Sequence, residues 1–143
     1  MAAFVKYNSF AVNLAAGNFT LTDAGSQIKV ALSNTAGDVV PASHSALGTI
    51  TQISYANCNL IAQQDTINVG VETPAGTWDV SGSDVIITAT GAVAQFRYII
   101  LYDELTTTPV DALIGSWDYG SGVDLANGET FTINFGASMF TVT

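Results

Sequence analysis

Nucleophilic catalysis requires a base beside the nucleophile, and histidine is the usual base. The chain has one histidine, His44, in the segment Pro41-Ala42-Ser43-His44-Ser45. A lone histidine between serines is typical of a solvated turn, so no catalytic dyad is predicted there. The only cysteine, Cys58, leaves no intramolecular disulfide or thiolate zinc site, and we expect it to pack as a small apolar residue.

Carboxylates offer two further kinds of chemistry. Calcium binds carboxylate and carbonyl oxygens. Asp79 and Asp84 flank a turn, and Asp103-Glu104 is the only adjacent pair of acids. Neither has the alternating acid spacing of a calcium loop, so no metal or cofactor is predicted. Two carboxylates across a cleft, as in a glycosidase, remain an alternative, although nearly all twelve acids occupy turns or polar strand positions.

Three aromatic side chains, Trp78, Trp117 and Tyr119, could stack on sugar rings as in a lectin-like module. Aromatic residues at alternate strand positions more often belong to a core. The carbohydrate-binding interpretation is therefore kept as an alternative, with loss of glycan binding in Trp117→Ala as its test.

Charge is scarce and one-sided. Only 10% of the 143 residues are charged, and twelve acids against three cations give a net charge of −9, whereas about 25% of residues are charged in ordinary soluble domains. Nucleic acids and anionic membranes attract basic surfaces, so neither is expected as a partner. Ser, Thr and Asn replace the missing charges, and such a surface loses little on desolvation, which favours its burial against a partner.

The length fits one domain, 1–143, without linker or internal repeat. The first seven residues contain no apolar segment long enough for a signal peptide, and no later run approaches 18 apolar residues. We therefore expect a protein made in the cytoplasm and not secreted by the usual route.

Strands dominate the pattern of the last third. Residues 96–102 form a nearly continuous apolar run, which predicts a central strand covered on both faces. Residues 113–119 follow as a second strand. Phe131, Ile133 and Phe135 alternate with polar residues and predict a half-buried strand after the Asn127-Gly128 turn.

Earlier segments predict shorter elements. Residues 10–16 predict a helix capped by Asn8 or Ser9, with Gly17 in a left-handed conformation at its end. Phe10 and Leu14 would hold this helix against the sheet. Further strands are predicted at 27–32, 67–72, 77–80 and 85–90.

The connections carry three predictions of their own. Lys29 is expected to point outward from the strand 27–32. Residues 81–84 are expected to form a hairpin turn between the two strands that flank them. Residues 38–45 predict a loop, and 46–53 either a helical turn or a strand.

Eight or nine short strands separated by Gly, Pro and Asn predict an all-β fold. The strand count favours a jelly-roll-like antiparallel β-sandwich with one short N-terminal helix.

The order of motifs in the last third resembles a family of small virion proteins of tailed bacteriophages. The matching tracts are Phe96-Arg97-Tyr98, Leu113-Ile114-Gly115, Trp117-Asp118-Tyr119-Gly120 and Asn127-Gly128. Residues 9–21 and 27–32 resemble the family's short helix and first core strand. The middle, 33–67, departs from the family in length and sequence, so the resemblance covers about two-thirds of the chain.

This resemblance implies a non-enzymatic head-decoration, or cement, protein on the capsid exterior of a virion, made in the cytoplasm of a bacterial host. Its implied partners are the major capsid protein and further copies of itself, as a dimer or trimer. The family has no catalytic residues to transfer. Another virion component (tail, adaptor or fibre) and a carbohydrate-binding module are the alternatives.

The N-terminal residues 1–7 form a candidate anchoring arm. Phe4, Lys6 and Tyr7 would contact the partner, because they combine aromatic rings with one of the few cations. Ordinary pairing of this segment as an edge strand is the alternative.

Overall fold

The structure is a computed structural model that describes residues 3–22, 27–60, 69–73 and 76–143. These residues contain one α-helix, nine strands and two 3₁₀ turns, Ala36–Val39 and Leu47–Thr49. In chain order the helix and strands are β1 (Val5–Lys6), α1 (Asn8–Ala15), β2 (Ile28–Ser33), β3 (Val69–Thr73), β4 (Thr77–Ser81), β5 (Val85–Thr88), β6 (Val93–Thr107), β7 (Val110–Leu125), β8 (Thr130–Ile133) and β9 (Phe140–Val142). No helix within the described ranges has the length and apolar character needed to cross a membrane.

The strands form three antiparallel sheets. β1, β7, β6 and β2 lie in that order in a four-stranded sheet, β3, β4 and β9 form a three-stranded sheet, and β5 pairs with β8. Side chains from all three sheets, such as Ile99, Val80 and Ile87, meet in one hydrophobic core. The predicted all-β sandwich with one short N-terminal helix is confirmed, and the jelly-roll connectivity stays a prediction.

The four-stranded sheet is covered on both faces. Ile99 and Leu101 of β6 point into the main core, whereas Ile100 and Tyr102 pack with Ile50 in a second cluster on the opposite face. β6 lies between β7 and β2. The continuous apolar run of β6 therefore has the expected cause, and the predicted central strand is confirmed.

The half-buried strand near the C-terminus is also confirmed. Ile133 and Phe135 are buried and Phe131 packs against the core. Thr130 and Thr132, at the alternate positions of β8, are exposed. The Asn127-Gly128 turn leads into this strand, which pairs with β5.

Helix α1 begins two residues earlier than predicted. Its N-cap residue is Tyr7, and no side chain caps it, so the predicted cap at Asn8 or Ser9 is wrong. Both residues lie inside the first turn, and Ser9 Oγ instead donates to the His44 carbonyl at 3.3 Å. Gly17 has φ +78°, the left-handed conformation predicted for it. Phe10 is buried and its neighbour on the same face, Leu14, packs against the main core.

The predicted hairpin around residues 81–84 is wrong. β4 pairs with β3 and β9, whereas β5 pairs with β8, so the segment between β4 and β5 crosses from one sheet to another. Asp84 stabilises this crossing, because its Oδ1 accepts a hydrogen bond from Phe135 N at 3.0 Å. Turn-forming residues mark the connection but carry no information on which sheet the next strand joins.

Lys29 also differs from its prediction. Its side chain is only 13% exposed, and its Nζ lies 2.7 Å from Glu104 Oε2. The second face of β2 is covered, so its residues are buried on both sides, as at Ala31 and Ser33.

The segment after β2 holds two 3₁₀ turns, the first of which overlaps the predicted loop 38–45. The undecided segment 46–53 contains the second turn and two isolated bridges, Ala46 to Ala112 and Gln52 to Ser33. Of the predicted strand 67–72, the first two residues lie outside the described residues.

Candidate interaction surface

His44 has a structural role between the two 3₁₀ turns. Its Nε2 lies 3.2 Å from the Gly37 carbonyl oxygen, and its Nδ1 lies 2.9 Å from Thr49 Oγ1. A carbonyl only accepts, so Nε2 donates to it. Thr49 Oγ1 also lies 2.7 Å from the Ala46 carbonyl oxygen, so its one proton can be donated either to that carbonyl or to the ring. His44 thus stays partly exposed, as predicted for a turn residue, and its ring links the two 3₁₀ turns.

The two tryptophans belong to the fold. Trp117 is 8% exposed, with its ring centroid 4.8 Å from that of Phe4 and 5.8 Å from that of Phe135. Trp78 is partly buried, and its Nε1 donates to the Leu21 carbonyl at 3.0 Å. Trp117 could stack on a sugar only if the core opened, so Trp117→Ala tests folding and is unsuitable as a test of glycan binding.

An ion pair occupies the outer part of the β6–β7 ribbon. Arg97 Nε and Nη2 donate to the two carboxylate oxygens of Asp118 at 2.7 and 2.8 Å, and Gly120 N donates to Oδ1 at 2.8 Å. These hydrogen bonds lower the pKa of Asp118 to about 2. A carboxyl group that stays ionised cannot act as the general acid of a glycosidase. Tyr119 next to it is 40% exposed, the most exposed of the three aromatics considered for sugar stacking.

Asp103 is a buried carboxylate at the end of the same ribbon. It is 1% exposed, and its Oδ1 accepts hydrogen bonds from Gln27 N and Leu105 N, both at 3.0 Å. Its Oδ2 is buried without a hydrogen-bond partner among the described residues. Burial raises the pKa of Asp103, and the nearby charges of Asp111 and Glu104 raise it further. In the described ranges no group of three or more His, Cys, Asp or Glu residues is arranged to hold a metal.

The N-terminal arm is paired with its own chain. Val5 and Lys6 pair with Ser116 and Gly115 of β7, so the edge-strand alternative describes this segment. Phe4 packs against the main core. Tyr7 is 1% exposed and donates from its hydroxyl to the Asp38 carbonyl, and burial raises its pKa to about 12. Of the three predicted contact residues, only Lys6 is exposed, and their role towards a partner stays a prediction.

A groove opens between α1 and β9. The α1–β9 groove has a volume of about 320 Å³, and its lining includes Phe10 and Leu14 of α1, Val142 of β9, and Lys6. It adjoins a more apolar hollow of about 290 Å³ that shares Leu14 and Val142 and extends to Trp78. Leu14, Val142 and two alanines form its apolar part, whereas Lys6 and two threonines add polar groups, so the groove suits a segment with both aliphatic and polar side chains.

The opposite side of α1 forms a second surface, the outer helix face. Val12 is 69% exposed, and Ala16 follows it one turn later. A surface helix normally carries polar or charged residues outward. Helix α1 contains no charged residue, so its outward face differs from that of an ordinary solvated helix.

The charges are distributed unevenly around these two surfaces. All twelve acids of the chain lie between residues 23 and 129, so β1, α1 and β9 contain none. Lys6 is the exception among the cations, because Lys29 and Arg97 have acidic partners whereas Lys6 makes no ion pair within the described residues. These three elements therefore carry one cation and no acid, and the acid Asp79 of β4 lies beside them, because it pairs with Thr141 of β9.

No family model, curated protein or solved structure matches the chain. The sequence pattern pointed to Lys6, but it did not predict that Leu14 and Val142 line a groove or that Val12 lies on the outer helix face. The signal that could have identified the region is a surface helix without charge in a chain rich in acids.

Proposed function

We propose that this protein is a non-enzymatic decoration protein that binds the outer surface of a tailed-bacteriophage head and stabilises the shell. The observation that carries the proposal is a division of roles among the side chains. His44, Trp117, Asp103 and the Arg97–Asp118 pair are held in contacts within the fold. The uncharged helix α1, by contrast, keeps Val12 exposed on its outer face.

The energetics of a repeated contact fit this surface. A decoration protein binds the same junction many times over a shell, so a modest buried area at each site is sufficient. The side chains of Val12 and Ala16 lose no hydrogen bonds to water when they are covered. We therefore assign the shell contact to the outer helix face.

The overall charge is consistent with a position on the outside of the shell. A net charge of −9 would oppose contact with packaged DNA, which carries one negative charge per about 1.7 Å of duplex. Exposed acids such as Asp84, Asp124 and Glu129 would instead face solvent, where they keep a charge-poor protein soluble.

The test is co-sedimentation with empty phage capsids that lack the protein. We expect saturating binding at a fixed ratio to the major capsid protein. A handful of copies per particle would instead indicate a tail, adaptor or fibre component, and absence of binding would contradict the proposal.

A matched pair of variants tests the assigned face. Val12→Asp places a carboxylate on the outer helix face and should reduce occupancy at least about tenfold, because a buried unpaired charge is costly. Ile86→Asp is the control, since Ile86 is a 48% exposed aliphatic residue on β5. Equal binding by the two variants would remove the outer helix face from the proposal.

A further inference from the structure

The β6–β7 ribbon ends in a surface whose chemistry complements the α1–β9 groove. We call residues 104–111 the hairpin tip. Leu105 and Val110 are 52% and 64% exposed there. Two acids flank them, Glu104 and Asp111. Glu104 is paired with Lys29 of its own chain, so the tip presents two exposed aliphatic side chains beside the carboxylate of Asp111.

Hydrogen bonds hold the hairpin tip in one conformation. Thr106 Oγ1 donates to the Asp103 carbonyl at 2.8 Å and accepts from Ala112 N at 2.6 Å. Asp103 Oδ1 accepts from Leu105 N at 3.0 Å. A surface ordered in advance loses little conformational entropy when it binds.

The groove complements the tip in polarity and in charge. Its aliphatic walls at Leu14 and Val142 match the aliphatic side chains of the tip, and Lys6 matches the carboxylate of Asp111. Its volume of about 320 Å³ exceeds the roughly 150 Å³ of an apolar cavity that holds benzene. One or two aliphatic side chains therefore have room.

We propose that the hairpin tip of one copy docks into the α1–β9 groove of a second copy. Two molecules with a net charge of −9 repel each other over most of their surfaces. The proposed contact instead brings Asp111 of the tip to Lys6 of the groove, so opposite charges meet there. This contact joins two different surfaces, so it is heterologous and forms either a closed ring or an open chain.

Purified protein without capsids provides the test, so the result is independent of the role on the phage head. Sedimentation equilibrium over a range of concentrations should show assembly beyond a monomer. Lys6→Glu in the groove and Val110→Asp in the tip should each weaken assembly at least about tenfold. Ile86→Asp carries the same added charge as Val110→Asp on β5 and should assemble as the wild type does.

Mixing the two variants is the decisive experiment. Each variant keeps one intact surface, so Val110→Asp supplies a groove and Lys6→Glu supplies a tip. The mixture should form a one-to-one dimer that grows no further. Circular dichroism would verify that both variants are folded.

Three results would overturn the contact. The first is a wild-type protein that stays monomeric at every concentration, even if it binds capsids. The second is undiminished assembly of either variant. The third is failure of the two folded variants to pair, which would indicate a symmetric contact or a different surface.

Discussion

The ring of Phe4 occupies the space that a side chain at position 115 would require. A Cβ atom built on Gly115 would overlap the Phe4 ring, which also stacks on Phe140 with centroids 5.7 Å apart. The absence of a side chain at Gly115 therefore allows the N-terminal segment to close against the core. Deleting residues 1–6 would remove a core ring together with the predicted arm, so lost capsid occupancy in that deletion would have two causes.

Gly115→Ala should lower the free energy of unfolding by about 1–3 kcal/mol, because overpacking displaces Phe4 or the strand that carries it. Gly48→Ala is the matched control, since a Cβ there meets no atom within 4 Å and the residue does not need a positive φ. The control should change the free energy by less than about 0.5 kcal/mol. Urea unfolding of both variants measures this. Equal midpoints would show that the packing of Phe4 does not require the absence of a side chain at position 115.

Asp103→Asn should change how stability depends on pH. Burial raises the pKa of Asp103 in the folded state above its unfolded value. This group therefore favours the folded state most at low pH, and that contribution is lost as the pH rises through the folded pKa. The asparagine variant should gain stability relative to the wild type as the pH rises above about 4.

Urea unfolding at a series of pH values tests this expectation. Asp124→Asn removes the same charge from an exposed position and serves as the control. If the free energies of unfolding of Asp103→Asn and the wild type differed by the same amount at every pH, the carboxylate would be ionised in the folded state without penalty.

Asp118→Asn should have the opposite signature. Arg97 and Gly120 lower the pKa of Asp118 to about 2. Its contribution to stability is therefore present above its ordinary pKa and is lost as the pH falls from about 4 to about 2. Over this pH range the variant should lose less stability than the wild type. Arg97→Lys keeps the charge but loses the two-pronged geometry, so it should retain only part of the effect.

Trp117→Ala should destabilise the protein by about 3–5 kcal/mol, because it empties a core position between two phenylalanine rings. Tyr119→Ala, at a partly exposed site, should cost less than about 1 kcal/mol. Thermal unfolding compares the two. Any glycan binding by this protein should then be lost in the folded Tyr119→Ala variant, and glycan binding that survives there would contradict a role for the exposed ring.

The sequence was sufficient where one residue pattern has one physical cause. The run 96–102 reads as covered on both faces, and the structure buries Ile99 and Ile100 on opposite sides of the sheet. Gly17 marked the end of α1 because few other residues adopt a positive φ. These features depend on neighbours within a few residues.

Features that depend on distant partners escaped prediction. Residues 81–84 resemble a hairpin turn, but β5 pairs with a strand about fifty residues later, so the strands diverge. Lys29 was expected to face solvent because its ion-pair partner Glu104 lies far away in sequence. The α1–β9 groove likewise combines the two ends of the chain. No local pattern encodes such contacts.

The paired strands β6 and β7 contain 15 and 16 residues, which gives the ribbon a length of about 50 Å. The two strands are joined at the hairpin tip, so tension between the tip and the opposite end would be carried along both backbones, whereas pulling the two free ends apart would load the cross-strand bonds one after another. Four register shifts interrupt this ladder and supply places where the ribbon can bend. The ribbon is thus a long elastic support within the molecule. The force needed to unfold it should depend on the direction of pulling, which a thermal unfolding experiment does not report.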